Sequence, residues 1–150
     1  MMDGHQYTAR FEAPDGQPIL RAYPDPITRG SPWTIGLGHT GHEVHQDTVW
    51  TADQCWKAFY SDYSNAQTSA AHIVGGDSWA ALNEPRRAVL ADMAFNIGFS
   101  RLAGFQHMLA AIKICEWQTA HDELLDSEYA KQVKSRADMN AKTLLTGEWG

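Results

Sequence analysis

Apolar and polar residues along the chain follow two rhythms, and the change between them divides the sequence. Tyr7 and Phe11 stand four apart, the spacing of a helix face, and Pro14 sets a stop just past Glu12, which predicts a short opening helix. Helical spacing then lapses. In "APDGQPILRAYPDPITRGSPWTIGLGHTG" turn residues flank "ILRAY" and "WTIGLG", predicting two short strands of a small sheet, with Gly30 to Gly41 as a tight hairpin. From Thr51 the helical rhythm returns. "TADQCWKAFYSDYSNAQTSAAHIV" opens on a Thr51-x-x-Gln54 capping box and sets Cys55, Trp56, Phe59, Tyr60 and Tyr63 on one face of a long amphipathic helix. "GGDS" reads as a turn that breaks it. "NEPRRAVLADMAFNIG" follows, with Asn83 as N-cap, Pro85 in the first turn, and a stripe of Val89, Leu90, Met93, Ala94 and Ile97 apolar enough for a central buried helix. "GFQHMLAAIKICEW", "WQTAHDELLDSEYAKQ" and "RADMNAKTLLTG" each predict one more helix, and Gly147 a C-terminal stop.

The outcome is an α+β fold. A small β-containing lobe over about residues 13–50 and a helical lobe over about residues 51–150, packed with the opening helix, are joined by the long helix, with a cleft expected between them. A chain of 150 residues suits a single domain, and 43% hydrophobic with 20% charged residues is a globular composition. A net charge of −6 without a basic stripe argues against nucleic acid as a partner. No apolar run nears the ~18 residues of a membrane span, and "MMDGHQYTARFE" lacks an export-signal pattern, so no membrane insertion is expected. Cys55 and Cys115, far apart and without a C-x-x-C pattern, support neither a zinc ribbon nor a disulfide scaffold; both are expected as buried thiols.

Three constellations could do chemistry. Glu12, Asp25 and Thr34 supply a carboxyl at a helix end, a carboxylate after a strand and a hydroxyl in the hairpin. Glycosidic hydrolysis needs two carboxyls, one to protonate the leaving oxygen and one to support attack. Among 18 acidic residues such trios arise easily, and most are solvated surface charges. "HTGHEVH" spaces His39, His42 and His45 by three, a conceivable zinc set, but H-E-x-x-H is missing and Gly41 opposes a helix aligning the rings; polar turn residues are the plainer reading. The aromatic set, Tyr23, Trp33, Trp50, Trp56, Trp79, Phe95, Phe99, Phe105 and Trp117, could stack on sugars or simply form core. Trp56 and Trp117 are expected in the core, and Phe95, beside Asn96 and Gly98, at a cleft edge. No Gly-x-Ser-x-Gly elbow or phosphate-cradling loop is present.

At these residues a resemblance emerges. "RAYPDP" followed by "PWTIGLGHT", with Glu12 upstream, resembles the phage-type lysozymes, or endolysins, of glycoside hydrolase family 24, in which Glu, Asp and Thr occur in that order with Thr in a T-I-G-x-G-H hairpin. "MAFNIGFSRLAGFQHMLAAIKICEW" and the closing "TGEW" are similar to the helices of the T-even type, so the likeness runs from Phe11 onward. The resemblance implies a lysozyme-like fold and hydrolysis of the β-1,4 bond between N-acetylmuramic acid and N-acetylglucosamine in bacterial peptidoglycan. It implies Glu12 as general acid, Asp25 as the carboxylate that positions or activates water, and Thr34 as a hydroxyl holding that water. Gly38, Thr40, Phe95, Met108 and Glu123 match substrate-contacting positions, and His39 a structural histidine that can pair with a carboxylate. The runs from Glu12 to Asp25 and from Asp25 to Thr34 are longer than in the T-even type; Asp15 lies nearer Glu12, but Asp25 is the acid that follows the "AY" strand. No metal and no cofactor is implied. A monomer is expected, held in the host cytoplasm until a holin opens the membrane and it causes host lysis. Three alternatives stay open: a lytic transglycosylase on the same bond, a zinc-dependent peptidoglycan amidase, and a wall-binding or virion module without turnover.

Overall fold

Twelve elements follow one another in the computed structural model, which describes all 150 residues, Met1 to Gly150. They fall into two compact units, one of residues Thr8–Ser64 and one of Met1–Tyr7 with Asn65–Gly150; the boundaries lie within helices α1 (Gly4–Glu12) and α2 (Ala52–Val74). A mostly helical chain with one small antiparallel sheet is the α+β class that the two rhythms predict.

In the first unit, strands β1 (Ile19–Tyr23), β2 (Thr34–Gly36) and β3 (His39–Thr40) form an antiparallel sheet in chain order. Ile19 faces Gly36 and Tyr23 faces Thr34, so β1 spends five residues against three and bulges. Its outer edge is closed by a bridge between Arg21 and Val49, with Ala22 N–H donating to Thr48 and Trp50 N–H to Leu20. Ala22, Ile35 and Val44 form a small core, against which Trp33 and Trp50 pack. The strand expected over "WTIGLG" is shorter than its sequence because Gly36 and Gly38 take positive φ, turning the chain after three residues. Gly36 also lets Cys55 approach: a Cβ there would sit 3.2 Å from the cysteine Cβ.

α2 begins as its capping box requires, with Thr51 N–H donating to Gln54 Oε1 and Gln54 N–H to Thr51 Oγ1. Cys55, Phe59 and Tyr63 are buried, but Trp56 is half-buried and Tyr60 is exposed, so the apolar face is narrower than expected. Gly75, at φ 96°, ends the helix; "GGDS" then does more than turn, because residues Gly76–Ala81 wind into α3.

The second unit is built on α4 (Glu84–Ile97). Asn83 caps it through Arg86 N–H, and seven consecutive residues, Ala88 to Ala94, are buried, the signature of a helix surrounded on all sides. Around it come α5 (Phe99–Ala103), α6 (Gln106–Lys113), α7 (Trp117–Leu125), α8 (Glu128–Val133) and α9 (Ser135–Thr146); α9 packs on α4, α7 and α8. The single helix expected from "WQTAHDELLDSEYAKQ" is two, because Ser127 accepts from Ala130 N–H and starts a new one. Gly147, left-handed, stops α9. Arg86 donates to the carbonyls of Leu144 and Leu145 and lies 3.8 Å over the Trp117 ring, holding that indole half-buried at the surface rather than in the core.

Inside α4, Asp92 is fully buried and answered. Arg136 binds it with two nitrogens at 3.1 and 2.9 Å, and Asn140 donates at 3.0 Å. The Asn140 amide also donates to the Tyr129 hydroxyl and accepts from Tyr7 at 2.7 Å. Burial pushes the Tyr129 phenol well above its ordinary range, with the Asp92 charge adding to the effect. Cys115 departs from expectation: α6 ends at Lys113, and Cys115 occupies an exposed turn at φ 59° instead of a helix face.

Candidate active site

Glu12, Asp25 and Thr34 all belong to the unit Thr8–Ser64, and all three are half-buried. Glu12 is the last residue of α1. Its neighbour in the field is Tyr23: burial raises that phenol's pKa first, and the negative charge of Glu12 raises it further. Tyr23 in turn pairs across the sheet with Thr34. Tyr23 is thus the residue that Glu12 and Thr34 have in common, one through its charge and the other through the strand pairing.

Asp25 is held by its own turn. Oδ1 accepts from the N–H groups of Ile27 and Thr28 at 2.9 and 3.0 Å, while its backbone closes the loop through Gly30 carbonyl and Arg29 N–H. Thr28 donates to the Ser31 carbonyl at 2.6 Å and tightens the same loop. Oδ2 of Asp25 and the hydroxyl of Thr34 take no bond from the protein. A fixed carboxylate with one oxygen uncommitted, and a strand-mounted hydroxyl likewise uncommitted, are groups that can orient a water.

Hairpin geometry places the remaining positions of this unit. Gly38 is in the turn at φ 78°, and Thr40 is exposed on β3 opposite Thr34. His39 sits between two carboxylates: Nδ1 is 2.7 Å from Asp62 and Nε2 is 2.6 Å from Glu43. Carboxylates only accept, so the protonated ring, with both nitrogens donating, is the form that satisfies both contacts. Burial alone would lower the His39 pKa, but the hydrogen bonds it donates to Glu43 and Asp62 outweigh it and raise it. The same contact lowers the pKa of Glu43. With both nitrogens engaged, His39 has no lone pair for a metal, and no group of three or more His, Cys, Asp and Glu side chains is arranged around a cation position.

Phe95, Met108 and Glu123 are in the other unit. Phe95 is half-buried on α4; Met108, buried, and Glu123, half-buried, line one cavity of about 350 Å³ together with Arg101, Phe105 and Tyr129. Sequence reasoning passed over Tyr23 as a neighbour of Glu12, and Asp62 as a partner of His39. The second had a signal: Asp62 falls at the apolar spacing of Cys55, Phe59 and Ala66 on α2, where an acid needs a partner.

The sequence model of the phage lysozyme family matches residues 18–141, a span that contains Asp25, Thr34 and His39 and begins after Glu12. Among curated proteins, the pre-baseplate central spike protein Gp5 of Enterobacteria phage T4 is 32% identical over 151 residues, covering 85% of this chain. The chain spans 26% of that protein's length. With most of its residues matched, the chain belongs to the phage lysozyme family.

Proposed function

We propose that the protein is a muramidase, hydrolysing the β-1,4 bond between N-acetylmuramic acid and N-acetylglucosamine, with Glu12 as general acid, Asp25 as the carboxylate for water and Thr34 as the hydroxyl that holds it. The observation that supports this best is the neighbourhood in Thr8–Ser64: Thr34 pairs with Tyr23, Tyr23 feels the charge of Glu12, and Asp25 follows the same strand with one oxygen uncommitted. Cleavage by this route requires a proton donor and a second carboxyl with room for water, and the three residue types meet that need. Gly38, Thr40, Phe95, Met108 and Glu123 are the proposed glycan contacts. Purified peptidoglycan incubated with Glu12→Gln is expected to release no reducing sugar while the protein stays folded; turnover equal to the unaltered protein would overturn the assignment. Mass spectrometry of the products separates hydrolysis from a transglycosylase, which would leave anhydro ends. Activity that persists in EDTA agrees with the metal-free reading, and loss that zinc restores would favour an amidase.

We further propose that the enzyme acts as a monomer in host lysis at the end of the phage cycle, released by a holin; co-expression with and without a holin tests this by culture turbidity. The similarity to a spike protein favours a second reading, a lysozyme module carried by the virion. Mass spectrometry of purified particles decides: peptides of this chain in the particle support the second, and their restriction to the cell lysate the first.

A further inference from the structure

Beside the hairpin, in the unit Thr8–Ser64, lies a cavity of about 620 Å³ that holds none of Glu12, Asp25 and Thr34 and shares only Thr40 with the proposed glycan contacts. Its volume is within the ~300–1,000 Å³ typical of small-ligand sites. Trp33 supplies one wall: the indole packs on the Ala22, Ile35, Val44 core and also lines the space. His42, His45 and Gln46 line it as well, together with Ser31, Thr40, Pro32, Gly41 and Val44. The ring nitrogens of His42 and His45, the Gln46 amide and the Trp33 indole N–H make no hydrogen bond within the protein. No Asp, Glu, Lys or Arg lines the cavity. Glu43, between the two histidines in sequence, is turned onto His39 instead, and Gly41 keeps that path clear, since a Cβ at 41 would collide with the Glu43 carboxylate.

An aromatic wall with several neutral donors and acceptors, and no formal charge beyond what the imidazoles can carry, selects a polyhydroxylated neutral ligand over a phosphate or a metal ion. We propose that this cavity is an auxiliary saccharide site, which takes an uncharged N-acetylated pyranose by stacking on Trp33 and hydrogen bonding to His42, His45 and Gln46. It rests on the reading that the protein works on a glycan, and adds a second point of attachment to the strand. Attachment at two points raises the residence of the enzyme on an insoluble polymer through effective concentration.

The test uses the full chain carrying Glu12→Gln, labelled with ¹⁵N and titrated with the β-1,4-linked tetramer of N-acetylglucosamine. The Trp33 indole N–H resonance is expected to shift saturably, with a midpoint insensitive to salt between 50 and ~500 mM, since no ion pair is involved. His42→Ala combined with Gln46→Ala, both exposed positions, is expected to weaken that midpoint about tenfold while leaving the amide spectrum elsewhere intact. A Trp33 resonance unmoved at saturating tetramer, or a midpoint unchanged in the double variant, would overturn the proposal. Reducing-sugar release by the unaltered protein is measured separately. If release is absent but Trp33 saturates, the muramidase reading fails and the saccharide site stands; release without a Trp33 response gives the reverse.

Discussion

Replacing Asp62 with asparagine keeps the shape of the side chain but removes one of the two charges that hold His39. Geometry sets the size of the effect. The His39 side chain is 15% accessible and Asp62 30%, so this contact is partly shielded, whereas Glu43 is 58% accessible. A hydrogen bond to a charged partner in such a setting contributes ~1.5–3 kcal/mol, and an exposed pair ~0.2–1 kcal/mol. For a chain of this length ~1 kcal/mol corresponds to ~2–4 °C, so Asp62→Asn is expected to lower Tm by roughly 3–12 °C and Glu43→Gln by a few degrees at most. The pH dependence carries a definite sign. His39 is raised above its ordinary 6.5, so its contribution is full below that value and is lost as pH rises through the folded pKa. Glu43 is lowered below 4.5, so its contribution is present above that value and is lost as pH falls through the folded pKa. Both act together between about pH 4.5 and 6.5. Thermal unfolding followed by circular dichroism at pH 5.5 and pH 9 is the assay, and the deficit of Asp62→Asn should be larger at pH 5.5. Equal deficits at the two pH values, or none at either, would refute the reasoning.

Three other outcomes follow from the packing and the charge. Cys115 should react with a thiol reagent in the native protein, while Cys55, buried and with its pKa raised by burial, reacts only on unfolding; a stoichiometry of two under native conditions contradicts this. Asn140→Ala strips a hydrogen-bond partner from Asp92, Tyr129 and Tyr7 at once and should cost about 3–5 kcal/mol in urea unfolding, whereas a loss under ~1 kcal/mol would mean that the buried network contributes little. With a net charge of −6, the protein added from outside should leave intact Gram-negative cells unlysed, and lysis without a permeabiliser would show otherwise.

What the sequence disclosed depended on whether a residue acts locally. The capping box at Thr51, the cap at Asn83 and the stop at Gly147 each involve groups within a few residues, and each is in place. The hairpin over Gly30 to Gly41 was legible for the same reason. Trp117 was misplaced because its exposure depends on Arg86, which is remote in sequence, and Cys115 because the end of α6 depends on packing rather than on a local stop residue. Ser127 lies within a helical pattern in the sequence, but its hydroxyl accepts from Ala130 N–H and divides that pattern into two helices. At the site, the residue types of Glu12, Asp25 and Thr34 were visible in order, but the neighbourhood that links Glu12 through Tyr23 to Thr34 depends on a bulge in β1, which periodicity does not reveal.

The division of the chain has a consequence for the order in which it folds. Residues Thr8–Ser64 form their unit from one uninterrupted stretch, whereas the other unit needs Tyr7 to find Asn140, 133 residues further on. During synthesis the first 64 residues therefore contain everything the smaller unit requires long before α9 exists, while the larger unit cannot close its buried network until that last helix is made. The stretch that holds Glu12, Asp25 and Thr34 therefore has its complete sequence available before α9 of the larger unit has been made.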